Sequence, residues 1–116
     1  MNHNVDAIEY PDGSKYYGEV KEGRPHGKGV STFPDGTIYD GEWQMGKREG
    51  TGIMTYPNGI KYEGTWKNDK KNGRGTMIYT DGTNEDLEFS DDEQVNKSTK
   101  KKKKNYYNKK TKRYMI

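Results

Sequence analysis

Cysteine is absent from the 116 residues, so disulfides and thiolate metal sites are excluded. Aliphatic bulk is scarce as well. Ile, Val, Leu and Phe together number thirteen, a level that ordinarily fails to build a globular core and points towards disorder. No run of 18 apolar residues exists from which to form a membrane-crossing helix. The opening Met1-Asn2-His3-Asn4-Val5-Asp6 lacks the apolar stretch of a signal peptide, Asn2 is no acceptor for myristoylation, and prenylation has no cysteine to act on. An intracellular, soluble chain of one domain is the expectation, in the cytoplasm and peripheral to membrane or cytoskeleton, with the nucleus as the lesser alternative.

Catalytic chemistry is missing too. His3 and His26 are the only histidines; the first lies near the terminus, and the second reads as a turn residue tied by a hydrogen bond. There is no cysteine nucleophile and no metal-ligand spacing. Gly27-Lys28-Gly29 and Gly46-Lys47 lack the Gly-x4-Gly-Lys-Ser/Thr context of a phosphate loop, and the acidic run 85–93 lacks the central glycine of a calcium loop. The expectation is a protein that is not an enzyme, with no cofactor, metal or small-molecule substrate.

What is abundant is glycine, 15 residues, and tyrosine, 10 residues, and they recur at one spacing. Tyr16, Tyr39 and Tyr62 lie 23 apart, as do Gly18, Gly41 and Gly64, and Val20, Trp43 and Trp66. Gly27, Gly50 and Gly73 keep the same step, and so do Gly29, Gly52 and Gly75. Tyr10, Phe33, Tyr56 and Tyr79 precede the turns Pro11-Asp12-Gly13, Pro34-Asp35-Gly36, Pro57-Asn58-Gly59 and Thr80-Asp81-Gly82. Asp-Gly and Asn-Gly between alternating segments signal hairpins. The pattern predicts strands near 5–10, 15–20, 28–33, 37–43, 51–56, 60–66, 74–79 and 84–89, each repeat contacting only its neighbours.

Alternation places Tyr39, Gly41 and Trp43 on one face and Asp40 and Glu42 on the other. Glycine inside a strand weakens it, but a ring lying over the bare backbone compensates. Flat rings over glycine thus replace a thick aliphatic core. The fold class expected is all-β: a single-layer antiparallel meander of hairpins in an open, curved sheet over 1–89, with half-unit caps at 5–10 and 84–89. Ser90-Asp91-Asp92-Glu93 carries a capping-box signature, which predicts a short helix near 91–103 within the acidic-to-basic segment 90–104. A disordered basic tail, 105–116, follows.

These residues resemble the MORN repeats, whose pattern is approximately Tyr-x-Gly-x-Trp-x-x-Gly-x-x-His-Gly-x-Gly. Tyr39-Asp40-Gly41-Glu42-Trp43, Gly46 and Gly50-Thr51-Gly52 match it. Tyr62, Gly64, Trp66 and Gly73-Arg74-Gly75 match with Asp69 for the middle glycine, and Tyr16, Gly18, Gly23, His26, Gly27 and Gly29 match with Val20 for Trp. The resemblance, over roughly residues 10–84, implies a curved single-layer scaffold sheet. Relatives occur in lipid kinases, lysine methyltransferases, membrane-junction proteins and cytoskeletal assemblies, with any catalysis in a separate domain.

The aromatic face is the candidate partner groove, comprising Tyr16, Phe33, Tyr39, Trp43, Met54, Tyr56, Tyr62, Trp66, Met77 and Tyr79. Tyr and Trp favour interfaces, and a single sheet leaves a ring face for a helix or peptide of a partner protein. Charge adds an alternative. Residues 1–84 are net −1, residues 85–96 net −6, and residues 97–116 net +10. Lys100, Lys101, Lys102, Lys103, Lys104, Lys109, Lys110, Lys112 and Arg113 suit attachment to anionic membrane lipid, where five or six engaged lysines supply about 5–6 kcal/mol. A third reading is nuclear import or nucleic-acid binding through the lysine run. The partner's identity and the oligomeric state are not encoded in the pattern.

Overall fold

The structure is a computed structural model that describes residues 4–95. Among the described residues nine strands follow one another across one antiparallel sheet in chain order: β1 (Asn4–Glu9), β2 (Lys15–Lys21), β3 (Arg24–Thr32), β4 (Ile38–Gln44), β5 (Lys47–Thr55), β6 (Lys61–Lys67), β7 (Lys70–Ile78), β8 (Asn84–Ser90) and β9 (Glu93–Gln94). The sheet is open, a single layer, and measures 47 Å along its length. Each period divides the same way: a seven-residue strand, a two-residue turn, a nine-residue strand and a five-residue connection.

Two kinds of turn alternate. In the five-residue connections the Gly59 N–H donates to the Tyr56 carbonyl at 2.8 Å, and the Tyr56 N–H donates to the Ile60 carbonyl at 2.9 Å. Gly59 sits at φ 92°, which only glycine adopts without strain. In the two-residue turns both residues lie in the left-handed region: Met45 at 46° with Gly46 at 89°, and Asn68 at 51° with Asp69 at 75°. Such mirror-image turns match the twist of the flanking strands. Asp69 therefore replaces glycine without loss of the turn.

The long strands start about four residues before the positions expected at 28, 51 and 74, because the turns are tight and pairing resumes at once. The extra length is absorbed in a bulge. Gly41 pairs with Gly52 and Trp43 with Arg48, so three residues of β5 oppose Glu42 alone. The Glu42 carboxylate closes this bulge by accepting the Thr51 N–H at 2.8 Å. Glu19 does the same for Lys28 at 2.9 Å.

One expectation is corrected. The capping-box signature at Ser90 does not start a helix. Asp91 and Asp92 take φ of 50° and 71° and form a two-residue turn into β9. They stand two periods after Met45-Gly46, and the repeat's own hydrogen bonds hold them: the Asp92 N–H donates to the Lys71 carbonyl at 2.9 Å, and its carboxylate accepts the Lys71 N–H at 2.8 Å. The final unit is thus a hairpin rather than a half-unit ending at 89. The rest of the predicted helix, 96–104, lies outside the described residues.

The core is one face of the sheet. Tyr16, Tyr39 and Tyr62 are 1%, 0% and 0% exposed, and Trp43, Trp66, Met54, Leu87 and Phe89 are buried with them. Beneath the rings runs a row of paired glycines, Gly18–Gly29–Gly41–Gly52–Gly64–Gly75, one per strand from β2 to β7. A Cβ on Gly29, Gly52 or Gly75 would fall inside the hydroxyl of Tyr16, Tyr39 or Tyr62. On β8 Leu87 takes the glycine's place opposite Gly75. There Glu85 stands where the tyrosine would be, so no ring presses on the backbone.

Candidate functional site

Tyrosines and tryptophans enter the aromatic face from opposite ends of the strands and interleave over the glycine row. Tyr16 meets Trp43 edge-to-face at 5.4 Å between centroids, Trp43 meets Tyr39 at 5.1 Å, Tyr39 meets Trp66 at 5.3 Å, Trp66 meets Tyr62 at 5.6 Å, and Tyr62 meets Phe89 at 5.4 Å. Each such pair adds about 0.5–1.5 kcal/mol beyond burial. The Trp43 indole N–H donates to the Gly29 carbonyl at 3.1 Å, and the Tyr39 hydroxyl donates to the Glu42 carbonyl at 2.9 Å. The ladder satisfies its own polar atoms except at the Tyr62 hydroxyl, which is buried without a partner. Burial pushes the Tyr16 and Tyr62 hydroxyls up to about 12, and raises those of Tyr39 and Tyr79 as well.

Cations lie over the rings. The Arg48 guanidinium is 4.9 Å from the Trp66 ring centre and 5.8 Å from that of Tyr39; the Lys71 ammonium is 5.2 Å from Phe89 and 5.5 Å from Tyr62. Arg48 is fixed by Asp69, whose carboxylate accepts its Nε–H at 2.8 Å and whose carbonyl accepts a second guanidinium N–H at 2.9 Å. Neither cation was expected from the sequence. The equivalent first-repeat position is Pro25, so residue type does not repeat in this column.

The position filled by His26 is now explained. The turn two strands on presents an unpaired backbone N–H, and His26 Nδ1 accepts it from Met45 at 3.2 Å. Glu49 accepts the Asn68 N–H at 3.0 Å, and Asn72 accepts the Asp91 N–H at 3.3 Å. Three different side chains supply one acceptor, a junction role with no call for acid–base chemistry. Beside His26 is an open depression lined by Lys21, Lys28, Glu42, Trp43, Gln44 and Glu49, and none of its side chains is a hydroxyl or thiol nucleophile. Among the described residues no cluster of three or more His, Asp or Glu could hold a metal ion, and no helix is long and apolar enough to cross a membrane.

The ten candidate groove residues thus divide into two sets. Tyr16, Tyr39, Trp43, Met54, Tyr62 and Trp66 are buried in the ladder, whereas Phe33, Tyr56, Met77 and Tyr79 form a half-exposed margin beside it. Leu87 and Phe89 join the core unanticipated, although Phe89 keeps the tryptophan period. The basic candidates Lys100 to Lys104, Lys109, Lys110, Lys112 and Arg113 lie outside the described residues.

An open, one-layer sheet of 23-residue hairpins, each ring seated on its neighbour's glycine, defines a repeat architecture of the scaffold or adaptor type. The MORN repeat matches residues 16–38, 39–61 and 62–84, more than half of the chain, and the chain belongs to that family. The family is a generally non-catalytic repeat. A comparison with curated proteins found no match.

Proposed function

We propose that this chain is a non-enzymatic scaffold that holds a segment of a partner protein against its aromatic face. The observation that carries the reading is the margin of Phe33, Tyr56 and Tyr79, half-exposed rings repeated every 23 residues along one edge of an otherwise closed core. Large amphipathic rings in a row supply contact area at low entropic cost, and aromatic anchors carry a disproportionate share of interface energy. Arg48 and Lys71, over the ladder rings at the other ends of β5 and β7, add cationic donors to the same face for carboxylates or carbonyls of an incoming segment.

The buried rings are unsuitable as probes, because truncating a core tryptophan costs about 3–5 kcal/mol of stability. The margin is suitable. Affinity capture from native extract with a Phe33→Ser/Tyr56→Ser/Tyr79→Ser variant is expected to lose the proteins that wild type recovers. Equal recovery by the variant, with its ladder intact by near-ultraviolet circular dichroism, would overturn the proposal.

A further inference from the structure

Among the described residues nothing covers the face opposite the ladder, and it changes character along the sheet. One row crosses it strand by strand: Asp86, Thr76, Glu63, Ile53, Asp40, Val30, Tyr17 and Ala7, from β8 back to β1. Asp86, Glu63 and Asp40 stand 23 residues apart in sequence and two strands apart in space, roughly 10 Å per step. All three carboxylates are exposed, and among the described residues none is ion-paired. Beyond them the row turns apolar. Tyr17 is 63% exposed and Val30 37%, with Ile38 beside them at 38%.

The chain continues beyond Val95 in the matching order. Val95 is held at the edge of β8, its N–H donating to the Glu88 carbonyl at 2.9 Å. Lysines come first, at Lys97 and Lys100 to Lys104, and then Tyr106-Tyr107. Tyr106 lies eleven residue steps beyond Val95, a reach of about 36 Å when extended. From β9 to β3 is six strand steps, about 29 Å. Lysines three residues apart span about 10 Å, the step of the carboxylates. The ladder face is the wrong side for a basic segment, since Arg48 and Lys71 lie over its rings. On the opposite face the bases Lys28, Lys61 and Arg74 stand in the flanking rows, and Lys15 is occupied by Glu9 at 3.6 Å.

We infer that residues 97–107 dock on this opposite face, lysines on the Asp86–Glu63–Asp40 row and Tyr106-Tyr107 on the Tyr17–Val30 patch. Docking stores the basic segment against its own sheet and makes its release the step an external anionic surface must drive. The size of the face also favours a peptide: from β2 to β8, seven strands by about six residues give roughly 670 Å², short of the roughly 800 Å² per partner of a stable dimer.

The absence of cysteine makes the test clean. A nitroxide on Tyr106→Cys of the full chain is read by the broadening of backbone amide signals. Signals of Tyr17, Val30 and Asp40 are expected to broaden several-fold more than those of Glu88 or Gln94 at the far edge, beside the point of attachment. Asp40→Asn/Glu63→Gln/Asp86→Asn, exposed substitutions that leave the sheet's amide spectrum in place, is expected to abolish the difference. Uniform broadening, or broadening that survives the triple substitution, would overturn the inference. So would broadening found only when spin-labelled and isotope-labelled chains are mixed, which would make a second copy the occupant.

Discussion

Tyr39 and Tyr62 occupy the same place in successive repeats, yet substitution by Phe should affect them oppositely. The Tyr39 hydroxyl donates to the Glu42 carbonyl at 2.9 Å, and both rings are fully buried. Tyr62 has no such partner, and the residue three positions on is Thr65 instead of Glu. The Thr65 hydroxyl turns into its own bulge and donates to the Asn72 carbonyl. A buried hydrogen bond is worth about 0.5–1.5 kcal/mol net, and a buried unsatisfied hydroxyl costs about 1–3 kcal/mol. Tyr39→Phe should therefore destabilise by about 1 kcal/mol, while Tyr62→Phe should be neutral or stabilising. In urea, with a slope of about 1–3 kcal/mol per M, the Tyr39→Phe midpoint should fall by roughly 0.3–1 M and the Tyr62→Phe midpoint should hold or rise. The control is Thr65→Glu, which rebuilds the carboxylate-closed bulge; in that background Tyr62→Phe should become costly. A Tyr62→Phe loss equal to that of Tyr39→Phe would refute the reasoning.

Three further outcomes follow from the same geometry. Gly52→Ala places a methyl inside the Tyr39 hydroxyl and should cost at least about 3 kcal/mol, whereas Gly82→Ala meets nothing within 4 Å and should cost only the about 1–2 kcal/mol of left-handed backbone, both read by thermal unfolding. The hydroxyls of Tyr16 and Tyr62 are raised to about 12 by burial, so the folded state holds protons that the unfolded state gives up above about pH 10. Stability should be level below that value and fall as pH rises towards 12; an unfolding midpoint unchanged across the interval would contradict it. At the acid end the Ser14, Thr37 and Thr83 backbone N–H groups hold the Asp12, Asp35 and Asp81 carboxyls below their usual range, so their contribution is present above about pH 4 and lost as pH falls through the lowered values. Asn58 makes the same contact uncharged, to Ile60 at 3.0 Å, so Asp12→Asn/Asp35→Asn/Asp81→Asn should keep the turns at neutral pH and make acid unfolding shallower.

The sheet was legible because a strict 23-residue step repeats turns, faces and glycines together, and each reports on the same backbone. A local signal misleads where it competes with that step. Ser90 to Glu93 has the chemistry of a helix start, but Asp91 and Asp92 fall in phase with Met45 and Gly46, and the neighbouring repeat's Lys71 was waiting for them. Burial was the second gap. Alternation shows that Tyr39 and Trp43 share a face, but not that each ring is closed by the next repeat's ring, which depends on two extra residues at the bulge. The same bulge swings Arg48 and Lys71 over the ladder, in a column where the first repeat has Pro25. The opposite face hid its apolar patch because Tyr17 and Ile38 replace the charged residues of later repeats.

Position-specific photo-crosslinking in the native cell tests the functional claim most directly. A photoreactive residue at Tyr56, on the ladder margin, is compared with one at Lys61, on the opposite face. The account predicts discrete protein adducts from position 56 and none from position 61. Adducts confined to position 61, or none from 56 in a folded chain, would contradict it.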